Sequence, residues 1–224
     1  MRLVLVRHGE SHHSRRGVIG GPNGCTGLTE QGIEQATTLA ARLRATGELG
    51  PDVALRCSPW PRARETAGLL APALPGVVVQ EDSGLRELDP GEADGLPWEE
   101  YRTRYETFDL QADPGRPFAP GGESWGAFTA RVAATLQRLA EQPAGQTVVA
   151  VTHAGFIVAA FLGLFGQGVR RSGLRLWPDD EGGGRREARV WLDPTHTALT
   201  EWRVTGTTWH LARYNDAAHL APGR

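Results

Sequence analysis

The sequence predicts an α/β fold in which a mostly parallel central sheet lies between two helical layers. Two apolar runs, Leu3–Val6 and Thr147–Val151, have the composition of strands buried on both faces, as parallel strands are. Segments with apolar residues at helical spacing separate the strand-like runs along the chain. No internal repeat or linker interrupts this alternation, so right-handed crossovers in one three-layer α/β/α sandwich follow. At 224 residues the chain suits a single domain over residues 1–224, large enough to bury an extensive core.

Leu3–Val6 is the first strand, and a glycine-rich loop runs from it to Leu28. Thr29 has the chemistry of an N-cap, and Glu30 suits the positive end of the helix that follows. Ile33, Ala36, Leu39, Ala40 and Leu43 mark its apolar face, and Gly47 and Pro51 end it. Val53–Cys57 is a second strand leading into a helix around Pro61–Leu70, and Val77–Gln80 is a third. The stretch 90–120 is rich in glycine, proline and acidic residues, with one short helix near Trp98–Tyr105. It is an excursion from the sheet and a candidate lid. Ser124 caps a helix whose Trp125, Phe128, Val132, Leu136 and Leu139 share one face, a pattern of core packing. The fourth strand, Thr147–Val151, feeds a helix at Gly155–Leu164. Gly182-Gly183-Gly184, between acidic Asp179–Glu181 and Arg185-Arg186, has the composition of a mobile surface loop. Val190–Leu192, Ala198–Val204 and Trp209–Tyr214 are further strands near the sheet edge.

Composition excludes several partners. A net charge of −2 provides no global field for nucleic acid or an acidic membrane surface. The longest apolar stretch, Phe156–Phe165, is too short to span a bilayer. Strand residues begin at once at the N-terminus, so no secretory leader is expected and a cytoplasmic location is the default. All 24 basic residues are arginine, a bias that genome composition accounts for. Cys25 and Cys57 are the only cysteines and form no CxxC pair, so neither a zinc site nor a disulfide is required.

Each early strand delivers chemistry at its carboxyl end. Arg7 and His8 follow the first strand, Ser58 and Arg62 the second, Glu87 the third and His153 the fourth. Carboxyl ends of strands in an open α/β sheet share one edge, where ligands bind. Two guanidinium groups clamp a tetrahedral anion, and an imidazole can attack its phosphorus. A carboxylic acid can protonate the leaving oxygen and then, as carboxylate, activate water.

These residues carry a resemblance. Arg7-His8-Gly9-Glu10-Ser11 is similar to the nucleophile motif of the histidine phosphatase superfamily, also called phosphoglycerate mutase-like. LTEQGIEQA (28–36) resembles that family's following helix start, and SPWPRARETA (58–67) the segment that supplies its second arginine, here Arg62. LREL (85–88), with Gly91 and Gly95 downstream, resembles the segment carrying the acid/base glutamate, which maps onto Glu87. PGGES (120–124) and VTHAG (151–155) are similar to later motifs, the latter giving His153, and RYNDAAHL (213–220) resembles the C-terminal segment of many small bacterial members. The likeness covers nearly the whole chain.

The resemblance implies that His8 takes up the phosphoryl group and water then hydrolyses the phosphohistidine. Arg7, Arg62 and His153 would hold the non-bridging oxygens, with the backbone N–H of Ala154 beside them, and Glu87 would serve the leaving group. No metal and no organic cofactor is implied; the ligand is a small-molecule phosphomonoester or inorganic phosphate. A hydrogen bond to one nitrogen of His8 should fix its tautomer, and neighbouring arginines should disfavour the imidazolium. Three departures matter. Ser14 stands where many relatives carry a phosphate-contacting asparagine, and Ala154 stands where glycine is common. The mutase pattern Glu-Arg-His-Tyr-Gly and its lysine are missing: the chain has Glu87-Leu88-Asp89-Pro90-Gly91 and no lysine. Phosphomutase activity is therefore poorly supported. A non-catalytic phosphate-binding module is the other competitor, and it has no need of a nucleophile.

His8 and His12 are four apart, a ligand pair only on a helix, and Gly9 argues against one there. Neither they nor His13 are expected to hold metal. Glu10 is a candidate for ordering the nucleophile loop. Arg15 and Arg16, and Arg170, Arg171 and Arg175, are candidates for the pocket mouth, with solvated loops the plainer reading. His196 and His219 read as structural or surface residues, with a place at the pocket as the alternative.

Overall fold

The computed structural model describes residues 1–106, 108–165 and 192–221. Six strands form one sheet: β1 (Arg2–Arg7), β2 (Val53–Cys57), β3 (Val79–Glu81), β4 (Thr147–Thr152), β5 (Leu199–Thr205) and β6 (Thr208–Asp216). Their spatial order is β3-β2-β4-β1-β5-β6. The first four are parallel, with Val4 opposite Val149 and Leu55 opposite Val149 and Val79. β5 and β6 are antiparallel additions on the β1 side. The sheet is thus mixed but mostly parallel, as expected.

Strand alternation sorts the two cores. Val4, Val6, Val149 and Val151 point to α2 (Glu30–Thr46) and α3 (Pro61–Leu70), meeting Leu39, Leu43, Ala67 and Leu70. Leu3, Leu5, Val148 and Ala150 point the other way, to α5 (Trp125–Ala140) and α6 (Ala154–Phe165), meeting Phe128, Leu136 and Phe156. Each fully buried large side chain adds about 1.5–3 kcal/mol, so the two central strands that carry the histidines sit on the most rigid part of the fold. A one-turn helix, α1 (His12–Arg15), follows the nucleophile loop, and α4 (Trp98–Arg104) lies in the excursion. The excursion has its own small core, in which Ile19, Ala93, Tyr101 and Phe118 are buried together.

Two sequence expectations shift. Ile33 is 45% exposed, and the buried stripe of α2 is Gly32, Ala36, Leu39, Ala40 and Leu43. Gly32 takes the inner position because the backbone of the nucleophile loop lies on it: a Cβ there would sit 2.0 Å from the carbonyl oxygen of Glu10. The third strand begins at Val79, not Val77. Val77 N–H still closes a turn onto Leu74, and Val78 is 75% exposed, so pairing with β2 starts only at Val79 opposite Leu55. Val190 and Trp191 of the strand expected at Val190–Leu192, the glycine loop at 182–184, and Arg170, Arg171 and Arg175 lie outside the described residues; Leu192 is described and is not in a strand. Among the described residues no helix is long and apolar enough to cross a membrane.

Candidate active site

Arg7, His8, Arg62, Glu87 and Ala154 line one cavity of about 240 Å³ at the carboxyl edge of the sheet. His153 lies behind it, fully buried, its ring centroid 5.2 Å from that of His8.

β1 delivers His8, and His8 N–H still bonds to Thr152 of β4 at 2.9 Å. The imidazole Nδ1 is 2.7 Å from the carbonyl oxygen of Gly9, which can only accept, so Nδ1 carries the proton. Nε2 is therefore the lone-pair nitrogen, and it accepts from Arg62 Nε at 3.0 Å. Burial is the main cause holding His8 well below the usual imidazole range, with Arg62, His153 and Arg7 adding to it. The expected neutral tautomer is the one the geometry selects.

The segment 58–67 supports this centre at three points. Arg62, 2% exposed, shares its Nε–H between His8 and His153 Nδ1, the latter at 3.1 Å. Ser58 Oγ lies 2.8 Å from His153 Nε2, so with Nδ1 accepting, Nε2–H donates to the hydroxyl. Thr66 Oγ accepts from Gly9 N–H at 3.0 Å and donates to Arg62 C=O at 2.7 Å. Both nitrogens of His153 are thus engaged, and it reaches the cavity through Arg62. Two buried guanidinium donors, Arg7 Nε and Arg62 Nη1, have no partner among the described residues. Unmatched buried donors are uncommon, and both belong to arginines that line the cavity.

Glu87 faces this cluster from the other wall. Its carboxylate accepts from Leu88 N–H at 3.0 Å and from Gly155 N–H at 2.8 Å. Burial raises its pKa against the lowering effect of those two N–H groups and of Arg62. Gly155 is required by the close approach: a Cβ there would lie 2.4 Å from Glu87 Oε1. Arg131 of α5 fixes the glutamate's backbone. Its guanidinium donates to the carbonyls of Gly84, Arg86 and Glu87 and is gripped by Glu123 at 2.8 and 2.6 Å. The PGGES segment thus acts through Glu123, a link its sequence does not announce.

The C-terminal segment secures Arg7. Asn215, itself at φ 54, accepts from Thr195 N–H at 2.6 Å and donates to Asp193 C=O at 3.1 Å. His219 Nε2 pairs with Thr197 Oγ at 2.8 Å. The strap held in this way bonds Thr197 N–H to Arg7 C=O, and Arg7 Nη1 donates to Pro194 C=O. It also brings His196 to 5.8 Å from His8, ring to ring. His13 is on the opposite flank at 6.4 Å and lines the cavity. Both imidazoles are pushed down to about 3, chiefly by burial and then by arginine charge. The sequence offers His196 a place at the pocket only as an alternative and His13 none; the glycine-rich loop and the C-terminal strap bring them there.

Ser14 lines the cavity, but its hydroxyl donates to Ser11 C=O at 2.8 Å. Glu10 accepts from Thr29 Oγ at 2.7 Å and so orders the nucleophile loop. Arg15 and Arg16 are exposed and do not line the cavity. Among the described residues no group of three or more His, Cys, Asp or Glu side chains is placed to hold a metal ion.

The model of the histidine phosphatase superfamily (branch 1) matches residues 3–176, and the chain belongs to this superfamily. A metal-independent phosphoserine phosphatase of Arabidopsis thaliana is 34% identical over 164 residues, 71% of this chain and 67% of the relative. A probable phosphoglycerate mutase of Salmonella paratyphi C is 34% identical over 183 residues, 78% of this chain and 81% of the relative. A solved mycobacterial glucosyl-3-phosphoglycerate phosphatase is 25% identical with a TM-score of 0.73, covering 96% of this chain and 98% of its own. Together these support an enzyme of the phosphatase or mutase kind with a small phosphorylated substrate.

The buried histidines make stability pH-dependent. His8, His13, His153, His196 and His219 are all held below the ordinary 6.5, by burial first in each case. The unfolded chain takes up protons that the native imidazoles refuse. Their contribution is complete above about pH 6.5 and is lost as pH falls toward the folded values, about 3 for His13 and His196 and about 4 for His219. Glu87, raised, acts in the opposite sense, losing its contribution as pH rises through its folded value. Five groups outweigh one, so the urea midpoint should drop between pH 7 and pH 5. An unchanged midpoint over that window would contradict burial of neutral imidazoles.

Proposed function

We propose that the protein is a phosphomonoester hydrolase that acts on a small phosphorylated metabolite through a phosphohistidine at His8, without a metal. The observation that carries this reading is the single-tautomer His8, which lines a cavity together with Arg7 and Arg62, each of which holds a buried guanidinium donor unmatched among the described residues.

A phosphoryl group entering the cavity draws Arg62 and Arg7 onto its oxygens. That frees the Nε2 lone pair from the Arg62 Nε–H bond, so substrate binding itself exposes the nucleophile. Nε2 bonds to phosphorus as the phosphorus–oxygen ester bond breaks, and the departing oxygen takes the proton of Glu87. Glu87, now a carboxylate, removes a proton from water; the water oxygen bonds to phosphorus and the nitrogen–phosphorus bond breaks. His8 returns neutral and Glu87 protonated. The Gly9 carbonyl stabilises the cationic phosphoimidazole by accepting from Nδ1–H throughout. Contact of His153 with a phosphoryl oxygen requires its bond to Arg62 to open and a proton to sit on Nδ1; otherwise it positions Arg62. The Ala154 N–H, at the start of α6, adds a helix-end donor at the same edge.

A mutase would return the phosphoryl group to substrate, and the Salmonella relative bears that name. The test is phosphate release from a panel of phosphomonoesters in the presence of a chelator, with isomerisation of phosphoglycerate assayed beside it using a bisphosphorylated primer. Chelator-resistant phosphate release is the expected result. Isomerisation without net release would replace hydrolase by mutase.

A further inference from the structure

The cavity beyond the phosphoryl clamp is apolar. Its outer walls are Val18 and Ile19 from the nucleophile loop, Trp98, Leu110 and Phe118 from the excursion, and Trp125 from α5. Among the described lining residues the only charged side chains are Arg7, Arg62 and Glu87, all committed to the phosphoryl group and leaving oxygen. His13 is neutral, and the Ser14 hydroxyl is spent on Ser11 C=O. A carboxylate or ammonium on the leaving group would lose its water here and gain no counter-charge from the described residues, which is costly. A ring, in contrast, meets Trp98 and Phe118, which already stand edge to face with centroids 6.0 Å apart. The walls are also preformed: Phe118 stacks on Tyr101 at 4.6 Å, and Tyr101 Oη donates to Phe118 C=O at 2.9 Å. At about 240 Å³, the cavity is below the usual range of roughly 300–1,000 Å³ for drug-sized ligands.

We infer that the substrate is the phosphate ester of a small, uncharged, aromatic or bulky apolar alcohol, and not a phosphorylated amino acid or glycerate. This deepens the phosphatase reading and rests on it for turnover, but its recognition half stands alone. Trp98, Leu110 and Phe118 are then the specificity-determining residues, supplied by the excursion.

The test matches leaving groups so that chemistry does not imitate recognition. Phenethyl phosphate, O-phosphoserine and phosphoglycerate are all alkyl esters, and their kcat/KM values are compared on the wild-type protein. The expected preference for phenethyl phosphate is at least about tenfold, the scale of discrimination by an apolar pocket. Leu110→Arg, which introduces a cation into the described wall, should shift that ratio toward phosphoglycerate by about tenfold or more. In parallel, calorimetry measures binding of phenylpropylphosphonate and of the phosphonate analogue of phosphoserine. Tighter binding of the aryl phosphonate upholds the inference even if no ester turns over, an outcome that would sink the phosphatase reading alone. Equal or weaker binding of the aryl phosphonate, or faster His8-dependent turnover of phosphoserine or phosphoglycerate, overturns the inference and leaves the phosphatase reading standing.

Discussion

His8→Ala should lower turnover of every phosphomonoester by about 10⁴-fold or more, because removing a nucleophile costs nearly as much as removing the whole catalytic set. The fold should survive. Alanine at this 4%-exposed site leaves a void but no uncompensated charge, since Arg62 Nε–H keeps His153 as acceptor. The Gly9 carbonyl loses one donor, a loss of about 1–3 kcal/mol at most. Far-UV circular dichroism and a melting curve check the fold while phosphate release is measured. Retention of more than a few per cent of wild-type turnover would mean that another group accepts the phosphoryl.

Glu87→Gln should slow alkyl ester hydrolysis by about 10²–10⁴-fold, the usual worth of a positioned general acid. Glutamine keeps the size and can still accept from one of the Leu88 and Gly155 N–H groups, so the loop bound by Arg131 should hold. Aryl esters should behave differently. A phenolate leaves with little protonation, so its release should be spared in the first step and appear as a burst, while the water step remains slow. Stopped-flow with an aryl phosphate reads this directly; a burst slowed as much as the alkyl reaction would remove Glu87 from the leaving-group role. The wild-type alkaline limb on alkyl esters should follow deprotonation of Glu87, whose pKa burial raises, and should vanish in Glu87→Gln.

Much of this architecture is legible in the sequence because its signals are local. Four parallel strands and the two helical layers follow from apolar runs and their spacing, and each site residue stands at or within a few residues of a strand's carboxyl end. Ile33 misleads because helical spacing alone does not say which of two adjacent residues faces inward; Gly32, with no side chain to score, is the one under the nucleophile loop. β3 starts late because an edge strand's extent is decided by its neighbour's register and the turn at Leu74. Arg131 carries no sequence signal of its own, since its work is done on a backbone group 44 residues away; Thr66 and Asn215 lie in segments that resemble family motifs, but the motifs do not say which backbone groups they hold. His13 enters the site from the one-turn helix α1 and His196 from a loop, and no periodicity encodes either position. The apolar outer wall comes from the excursion, where Trp98, Leu110 and Phe118 lack any repeating spacing and converge only in three dimensions.

The central claim is that phosphoryl transfer passes through His8 itself. A labelled phosphomonoester is mixed with the protein, quenched in alkali within a turnover, digested and sequenced by mass spectrometry, with His8→Ala as control. A phosphoryl group stable to alkali and labile to acid on the peptide holding His8, absent from His8→Ala, is the expected result. Rapid phosphate release with no label on His8, or with the label on another residue, would contradict it.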